Sequence, residues 1–193
     1  MVDQMNNISC SHSFRYFSRY CLALTATLAL VNTLYAQTCA YPVTPEARYT
    51  FDGNANDSSG NNHNPVNSPS LTYNGTDFVE GTHSASRNTA GIQLNDGAFL
   101  ENSFIPKSLS MYIKPSTLTG TNQTLFEEGD AVNGIILLLN SGGNLQLTVE
   151  SNSGIRTIQV PFPTDGNWHH VGFVYDGSAA INTTWLYIDG YPV

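Results

Sequence analysis

The chain has 193 residues, of which 40% are hydrophobic and only 11% are charged, and its formal net charge is −8. This composition supplies enough apolar material for one folded core and is unlike that of a disordered chain. The negative charge disfavours nucleic acids and anionic membranes as partners, because both would repel the protein.

Residues 1–36 have the features of a secretory signal peptide. Arg15 and Arg19 precede the apolar run Cys21–Val31, and the small residue Ala36 stands at a suitable cleavage position. The run has 11 residues, whereas a membrane-spanning helix needs about 20. We therefore expect a secreted or cell-surface protein that is not inserted in the membrane after cleavage. Retention of this segment as a membrane anchor is the alternative.

The segment that follows, residues 37–47, is a lead-in that contains Cys39, the one cysteine left after cleavage. A lone cysteine in an oxidising compartment indicates a disulfide partner elsewhere. That partner is expected in a second chain or in sequence beyond Val193. Lipid anchoring through Cys39 is the alternative, although the preceding "AQT" matches a lipoprotein signal poorly.

Residues 48–193 contain short runs with apolar residues at period two, separated by clusters of Gly, Asn, Asp, Ser and Pro. The glycines of "SGG" and "NSG" predict tight hairpin turns between neighbouring runs. This pattern predicts an all-β, antiparallel two-sheet sandwich. The ten candidate strands are Arg48–Gly53, Gly91–Asn95, Ala98–Asn102, Ser108–Pro115, Gln123–Gly129, Gly134–Asn140, Asn144–Ser151, Ile155–Phe162, His169–Gly177 and Thr184–Gly190.

A polar stretch rich in Asn and Ser, Asp52–Ser70, follows the first candidate strand and has no apolar periodicity. It is either a solvated loop or a calcium site, because carboxylate and amide oxygens are the ligands that Ca²⁺ prefers. An EF-hand loop is excluded, since His63 stands where that loop needs a closing Glu. The calcium hypothesis names four ligands: Asp52, Asn54, Asn56 and Asp57.

Three motifs in order resemble the LamG-like jelly-roll domains, which share the concanavalin A-like sandwich. The first is "YTFDGNANDSSGNNHN" (Tyr49–Asn64), with Pro65 following where the family commonly has Gly. The second is "LSMYIKPS" (Leu109–Ser116), with Tyr112 in place of the usual Trp. The third and most specific joins "DGNWHHV" and "YDGS" to "LYIDG". Together they span nearly all of residues 48–193.

This resemblance implies a concanavalin A-like jelly roll over residues 48–193 and a role in recognition. Domains of this family usually continue for a few strands past the "YIDG" strand, so the jelly roll is expected to be incomplete at its C-terminal end. An unpaired strand edge is an aggregation liability that folded proteins avoid. The sequence is therefore expected to be part of a longer secreted protein.

The adjacent histidines of "WHHV" raise the question of a metal or catalytic site. On a regular strand, His169 faces the side of Val171 and Phe173, and His170 faces the opposite side with Trp168. Two side chains that point apart cannot chelate one metal ion. We expect both histidines to be hydrogen-bonded at the margin of a sheet.

The concanavalin A-like fold that this resemblance implies also occurs in glucanases, whose strand motif Glu-x-Asp-x-(x)-Glu supplies a nucleophile and a general acid. The best match is "EGDAVN", with Glu128 and Asp130 followed by Asn133 at the acid position. An amide cannot donate the proton that the leaving sugar oxygen needs. The sequence therefore predicts that the protein is not an enzyme.

The resulting expectation is a recognition module that binds a glycan or an extracellular protein, with calcium as a possible cofactor and a role such as cell adhesion. Exposed aromatic side chains can stack on sugar rings, and Tyr73, Tyr112 and Tyr191 are the candidates. An accessory domain of a secreted glycoside hydrolase is the alternative function, and a glycosidase in its own right is the less favoured version of it.

Overall fold

A computed structural model describes residues 45–67, 71–86, 91–94, 100, 106–129, 133–151, 154–176 and 184–193. All of these residues belong to one compact unit. The predicted signal peptide (residues 1–36) and Cys39 lie outside the described residues, as does Asp130. No helix in the described part of the chain is both long and apolar enough to cross a membrane.

Ten strands are formed by the described residues. In several of them more buried and less buried side chains alternate, as the period-two pattern predicts. The strands are β1 (Thr72–Asn74), β2 (Ser84–Ser86), β3 (Lys107–Ile113), β4 (Gln123–Gly129), β5 (Gly134–Leu139), β6 (Asn144–Ser151), β7 (Gly154–Pro161), β8 (His169–Tyr175), β9 (Thr184–Ile188) and β10 (Tyr191–Pro192).

The strands form two four-stranded antiparallel sheets and one small hairpin. The first sheet has the order β10-β9-β8-β3 and the second has the order β4-β5-β6-β7. Strands β1 and β2 pair with each other. The pairing of β3 with β8 joins segments that are far apart in sequence, which is the type of connection expected for a jelly roll. The all-β, antiparallel two-sheet sandwich that the sequence predicts is thus confirmed.

The hydrophobic core brings together side chains of both four-stranded sheets. Strands β5 and β6 contribute leucines that are fully buried, and β8 contributes Val171 and Phe173. The ring of Phe173 lies 5.9 Å from that of Phe126 on β4, so the two sheets meet there. Burial of a side chain of this size stabilises a fold by about 1.5–3 kcal/mol, and burial of apolar surface is the dominant favourable contribution to folding in general.

The turns between strands are formed by glycine, asparagine and aspartate residues, which favour such turns. Between β5 and β6, Asn140 Oδ1 accepts hydrogen bonds from the amides of Gly142 (3.0 Å) and Asn144 (3.1 Å). Gly143 adopts a positive φ of 80° there, which a glycine tolerates without strain. Between β9 and β10, Asp189 and Gly190 have φ values of 51° and 81°, typical of a two-residue hairpin turn.

The predicted strand Arg48–Gly53 is wrong. Tyr49 makes only an isolated bridge to Asp57, and Phe51 has a φ of 57°, in the left-handed region that ends an extended run. The predicted strand Gly91–Asn95 is also wrong over its described residues 91–94, where Gln93 forms an isolated bridge to Asn67. The predicted strand Ala98–Asn102 lies outside the described residues apart from Leu100, which is buried.

Candidate ligand-binding site

The loop between Arg48 and Asn64 is organised around the carboxylate of Asp57. Its Oδ1 accepts hydrogen bonds from the amides of Arg48 (2.9 Å) and Ser59 (2.8 Å). Its Oδ2 accepts one from the Ser59 hydroxyl (2.8 Å) and one from the His63 amide (2.9 Å). Partial burial acts to raise the pKa of Asp57, but these hydrogen bonds outweigh it and lower the pKa to about 2. Asp57 thus holds its own loop together.

Asp52 ties the same loop to the segment that leads into β2. Its Oδ1 accepts hydrogen bonds from the amides of Thr82 (2.5 Å) and His83 (3.0 Å). These bonds, that of Thr82 first, lower the pKa of the Asp52 carboxyl. The Asp52 carboxylate lies close to the backbone of Gly81, where an added Cβ would lie 2.4 Å from either oxygen of Asp52. Gly81 also has a φ of 75°, so an L side chain there would be strained and would displace the Asp52 carboxylate.

The four predicted calcium ligands therefore lie in one loop, but the side-chain oxygens of Asp52, Asn54 and Asp57 already accept hydrogen bonds from N–H and O–H donors of the protein. Asn54 Oδ1 accepts the amide hydrogen of Asn56 at 2.9 Å, which is a local turn contact. Within the described ranges, no group of three or more His, Cys, Asp or Glu side chains is arranged to hold a metal ion. Calcium can also use amide and carbonyl oxygens, so a calcium site at this loop stays a prediction.

The two histidines of "WHHV" lie on opposite faces of β8, as expected from strand geometry. His169 is buried and contacts two carboxylates, Asp189 (2.8 Å from Nδ1) and Asp165 (2.9 Å from Nε2). His170 Nε2 lies 2.6 Å from the hydroxyl of Ser110 on β3. Burial lowers the pKa of His170, so its ring is neutral at pH 7. Neither arrangement brings the two imidazoles onto one ligand.

Trp168, just before β8, anchors the small hairpin. Its indole Nε1–H donates to Asp77 Oδ1 at 2.7 Å, and Lys114 Nζ donates to Asp77 Oδ2 at 2.8 Å. Asp77 lies between β1 and β2, so this one carboxylate attaches the β1–β2 hairpin to the ends of β3 and β8. Hydrogen bonds from Lys114 and Trp168 lower the pKa of Asp77, and the carboxylate is ionised at neutral pH.

Glu128, the best match to a glycosidase nucleophile, points into the protein. Its backbone register partner is Ile135, and residues opposite each other on antiparallel strands share a face. Ile135 belongs to the core, so Glu128 also lies on the core side of its sheet. Its Oε1 accepts a hydrogen bond from Lys107 Nζ, and the side chains of Glu128 and Lys107 are only 13% and 11% exposed. Desolvation raises the pKa of Glu128 despite this pairing.

The outer face of the first sheet carries exposed aromatic side chains. Tyr112 on β3 is 46% exposed and Trp185 on β9 is 42% exposed. The registers Tyr112↔His170 and Val174↔Trp185 put both on the face opposite the core. Tyr112 meets the ring of His170 edge-on at 5.1 Å. By strand geometry the two aromatic positions, two strands and about four residues apart, are separated by about 16 Å.

Of the three aromatics proposed from the sequence, Tyr112 and Tyr191 are exposed and Tyr73 is half-buried. Sequence reasoning missed Trp185. Its run "TWLYI" alternates, but one alternating set contains Leu and Ile and the other contains Trp and Tyr, so period two alone does not say which set faces solvent.

A laminin G domain family model, described as the concanavalin A-like lectin/glucanases superfamily, matches residues 85–193, more than half of the chain. No curated protein and no solved structure matches this chain. The matched range includes both four-stranded sheets and the "WHHV" and "YIDG" motifs. It does not include the Asn-rich loop, so the resemblance of that loop to the opening of the family stays a prediction.

Proposed function

Because the chain belongs to the concanavalin A-like lectin/glucanase superfamily, we propose that it is a non-catalytic recognition module of an extracellular or cell-surface protein. The ligand is a carbohydrate or a protein, and the observations below favour a carbohydrate. The superfamily contains both lectins and glucanases, as its name states, so the choice between binding and cleavage depends on the residues of this chain.

The position of Glu128 is the main observation that favours binding of a ligand over its cleavage. A retaining glycosidase needs two carboxyl groups about 5–5.5 Å apart and facing the sugar. Glu128 lies on the core side of its sheet and its carboxylate is paired with Lys107, which disfavours its use as a nucleophile. Asn133 stands at the position of the general acid and has no proton to give. A hydrolytic role for this motif would need both features to be different.

The aromatic outer face of the first sheet supports a carbohydrate ligand. Sugars present apolar ring faces that stack on aromatic side chains and hydroxyl edges that need hydrogen-bond partners. Tyr112 and Trp185 offer aromatic faces for stacking. The ring of His170 lies beside Tyr112, and Nδ1 is its nitrogen that does not contact Ser110 and could bond a sugar hydroxyl. This face pairs aromatic groups with uncharged polar groups, which suits a neutral oligosaccharide better than an anionic one.

A glycan array tests the proposal, with the purified protein applied in the presence and absence of a chelator. We expect wild-type protein to retain at least one class of neutral glycan, and the double variant Tyr112→Ala/Trp185→Ala to lose it. Ile155→Ala is the control, because Ile155 is also an exposed large apolar residue but lies on β7 of the other sheet. Retention of no glycan in either condition would contradict the carbohydrate ligand.

The chelator arm addresses calcium. If the Asn-rich loop holds calcium that orders the binding surface, chelation lowers retention by the wild-type protein. Retention that is the same with and without chelator would show that binding does not need the ion.

A further inference from the structure

The imidazole of His169 lies between two carboxylates at one end of the sandwich. The ring is buried and meets the ring of Phe162 edge-on at 5.3 Å, with an interplanar angle of 83°. Asp165 belongs to the loop that precedes β8, and Asp189 to the turn between β9 and β10. A single side chain thus connects a loop and a turn that are separated by more than 20 residues in sequence.

Both contacts can exist together only when the ring is protonated. A neutral imidazole has one N–H donor and one acceptor nitrogen, whereas the imidazolium has two donors. Each nitrogen of His169 lies within 2.9 Å of an ionised carboxylate oxygen, and an acceptor nitrogen at that position would be repelled. The hydrogen bonds to Asp165 and Asp189 accordingly raise the pKa of His169. The same contacts lower the pKa of Asp165 to about 2 and that of Asp189 as well.

The two carboxylates are held unequally. Asp189 has a second attachment, because its Oδ1 accepts the amide hydrogen of His170 at 3.0 Å and its own amide donates to the His170 carbonyl at 2.8 Å. The side chains of Asp165 and Asp189 are similarly exposed, at 50% and 45%, but the other contacts of the Asp165 carboxylate are within its own loop, from the amide (3.0 Å) and the side chain of Asn167. Loss of one N–H on His169 is therefore expected to release Asp165 and keep Asp189.

We propose that His169, Asp165 and Asp189 form a proton-dependent lock that holds the loop Asp165–Trp168 against the sandwich. The protonated ring closes the lock, and deprotonation opens it on the Asp165 side. Trp168 lies at the end of this loop and donates to Asp77. Opening of the lock therefore loosens the attachment of the β1–β2 hairpin.

Of the other charged groups described at this end, none competes for His169. Lys114, which follows the β3 residue opposite His169, pairs with Asp77 at 2.8 Å. His170 lies on the opposite face of β8, against Ser110. Because the folded-state pKa of His169 is raised, its stabilisation is complete below the ordinary value of 6.5 and is lost as the pH rises through the folded-state pKa.

Long-range ¹H–¹⁵N NMR correlations of the His169 ring, recorded on the purified protein from pH 5 to 10, test the lock. We expect both ring nitrogens to be protonated at the acidic end of this range and the titration midpoint to lie above 6.5. The fluorescence of Trp168, isolated by Trp185→Phe, is expected to change with the same midpoint. Asp165→Asn and Asp189→Asn each remove one charged partner and are expected to lower the midpoint, whereas Asp77→Asn leaves it unchanged.

Two results would overturn the proposal. One is a His169 midpoint at or below 6.5 in the wild-type protein. The other is a Trp168 signal that stays constant while His169 titrates, which would mean that the loop does not respond to the proton. Neither readout depends on a variant of His169 itself, and the partly exposed position of Asp165 makes Asp165→Asn a variant that is expected to fold.

Discussion

The ion pair between Lys107 and Glu128 connects the two sheets, and its removal gives a sharp test of the structure. Lys107 begins β3 of the first sheet and Glu128 lies near the end of β4 of the second. About nine-tenths of each side chain is buried. Oε2 of Glu128 is buried with no hydrogen-bond partner among the described residues, and Lys107 Nζ has a second, weak contact at 3.5 Å with the Leu100 carbonyl. Each charge therefore depends mainly on the other.

Replacement of one partner leaves the other charge buried and uncompensated, which costs about 3–5 kcal/mol. Glu128→Leu and Lys107→Met are each expected to lower the free energy of unfolding by that amount, a large part of the 5–15 kcal/mol typical of a domain. The double variant places two apolar side chains of similar size together. We expect it to be within about 1 kcal/mol of the wild type or more stable, which corresponds to a coupling energy of several kcal/mol between the two residues.

Urea denaturation followed by tryptophan fluorescence measures the four free energies of this double-mutant cycle. Single variants that are each nearly neutral, with effects that add in the double variant, would refute the buried pair. That outcome would also return Glu128 to solvent and remove the argument against its catalytic use.

Three further predictions concern stability. Asp57→Asn replaces Oδ2, which accepts hydrogen bonds from Ser59 and His63, by an amide group that donates. We expect the free energy of unfolding to fall by about 1–2 kcal/mol at pH 7, after allowance for solvent screening. Because the folded-state pKa of Asp57 is lowered to about 2, this stabilisation is present above pH 4 and is lost as the pH falls towards 2. If the wild type and the variant lost stability in parallel below pH 4, this role of Asp57 would be contradicted. Gly172→Ala places a Cβ 2.6 Å from the Leu109 carbonyl oxygen and is expected to lower the free energy of unfolding, measured by urea denaturation, by about 1–3 kcal/mol. An unchanged denaturation midpoint would show that β3 and β8 are not so close. Excess Ca²⁺ is expected to raise the melting temperature of the wild type, but not of Asp52→Asn, if the Asn-rich loop holds the ion, and an unchanged wild-type melting temperature would count against calcium.

The sequence predicted the strands of the two large sheets well because their local signals agree. From Lys107 to Ile188, alternating apolar residues are interrupted by turn residues such as Gly142 and Gly143, and both sheets contribute side chains to one core. The opposite orientations of His169 and His170 also follow from period two alone. The "WHHV" and "YIDG" motifs now have a physical connection, since His169 of the first contacts Asp189 of the second.

The segment before β3 was predicted less well, because long-range contacts override its local pattern. "RYTF" alternates like a strand, yet Phe51 turns the chain so that Asp52 reaches Thr82, 30 residues away. The short strands β1, β2 and β10 were missed because two or three residues carry too little periodicity. Side-chain partners such as Asp77 for Trp168 are set by the packing of distant segments, and no spacing in the sequence reveals them.

The central claim, that this protein binds its ligand without cleaving it, is tested most directly on an oligosaccharide that the array retains. Calorimetric titration measures its binding, and mass spectrometry of the same sample after prolonged incubation measures its chain length. We predict saturable binding with the oligosaccharide recovered at its original length. Shorter products that appear with the wild-type protein and disappear with Glu128→Gln would contradict the claim.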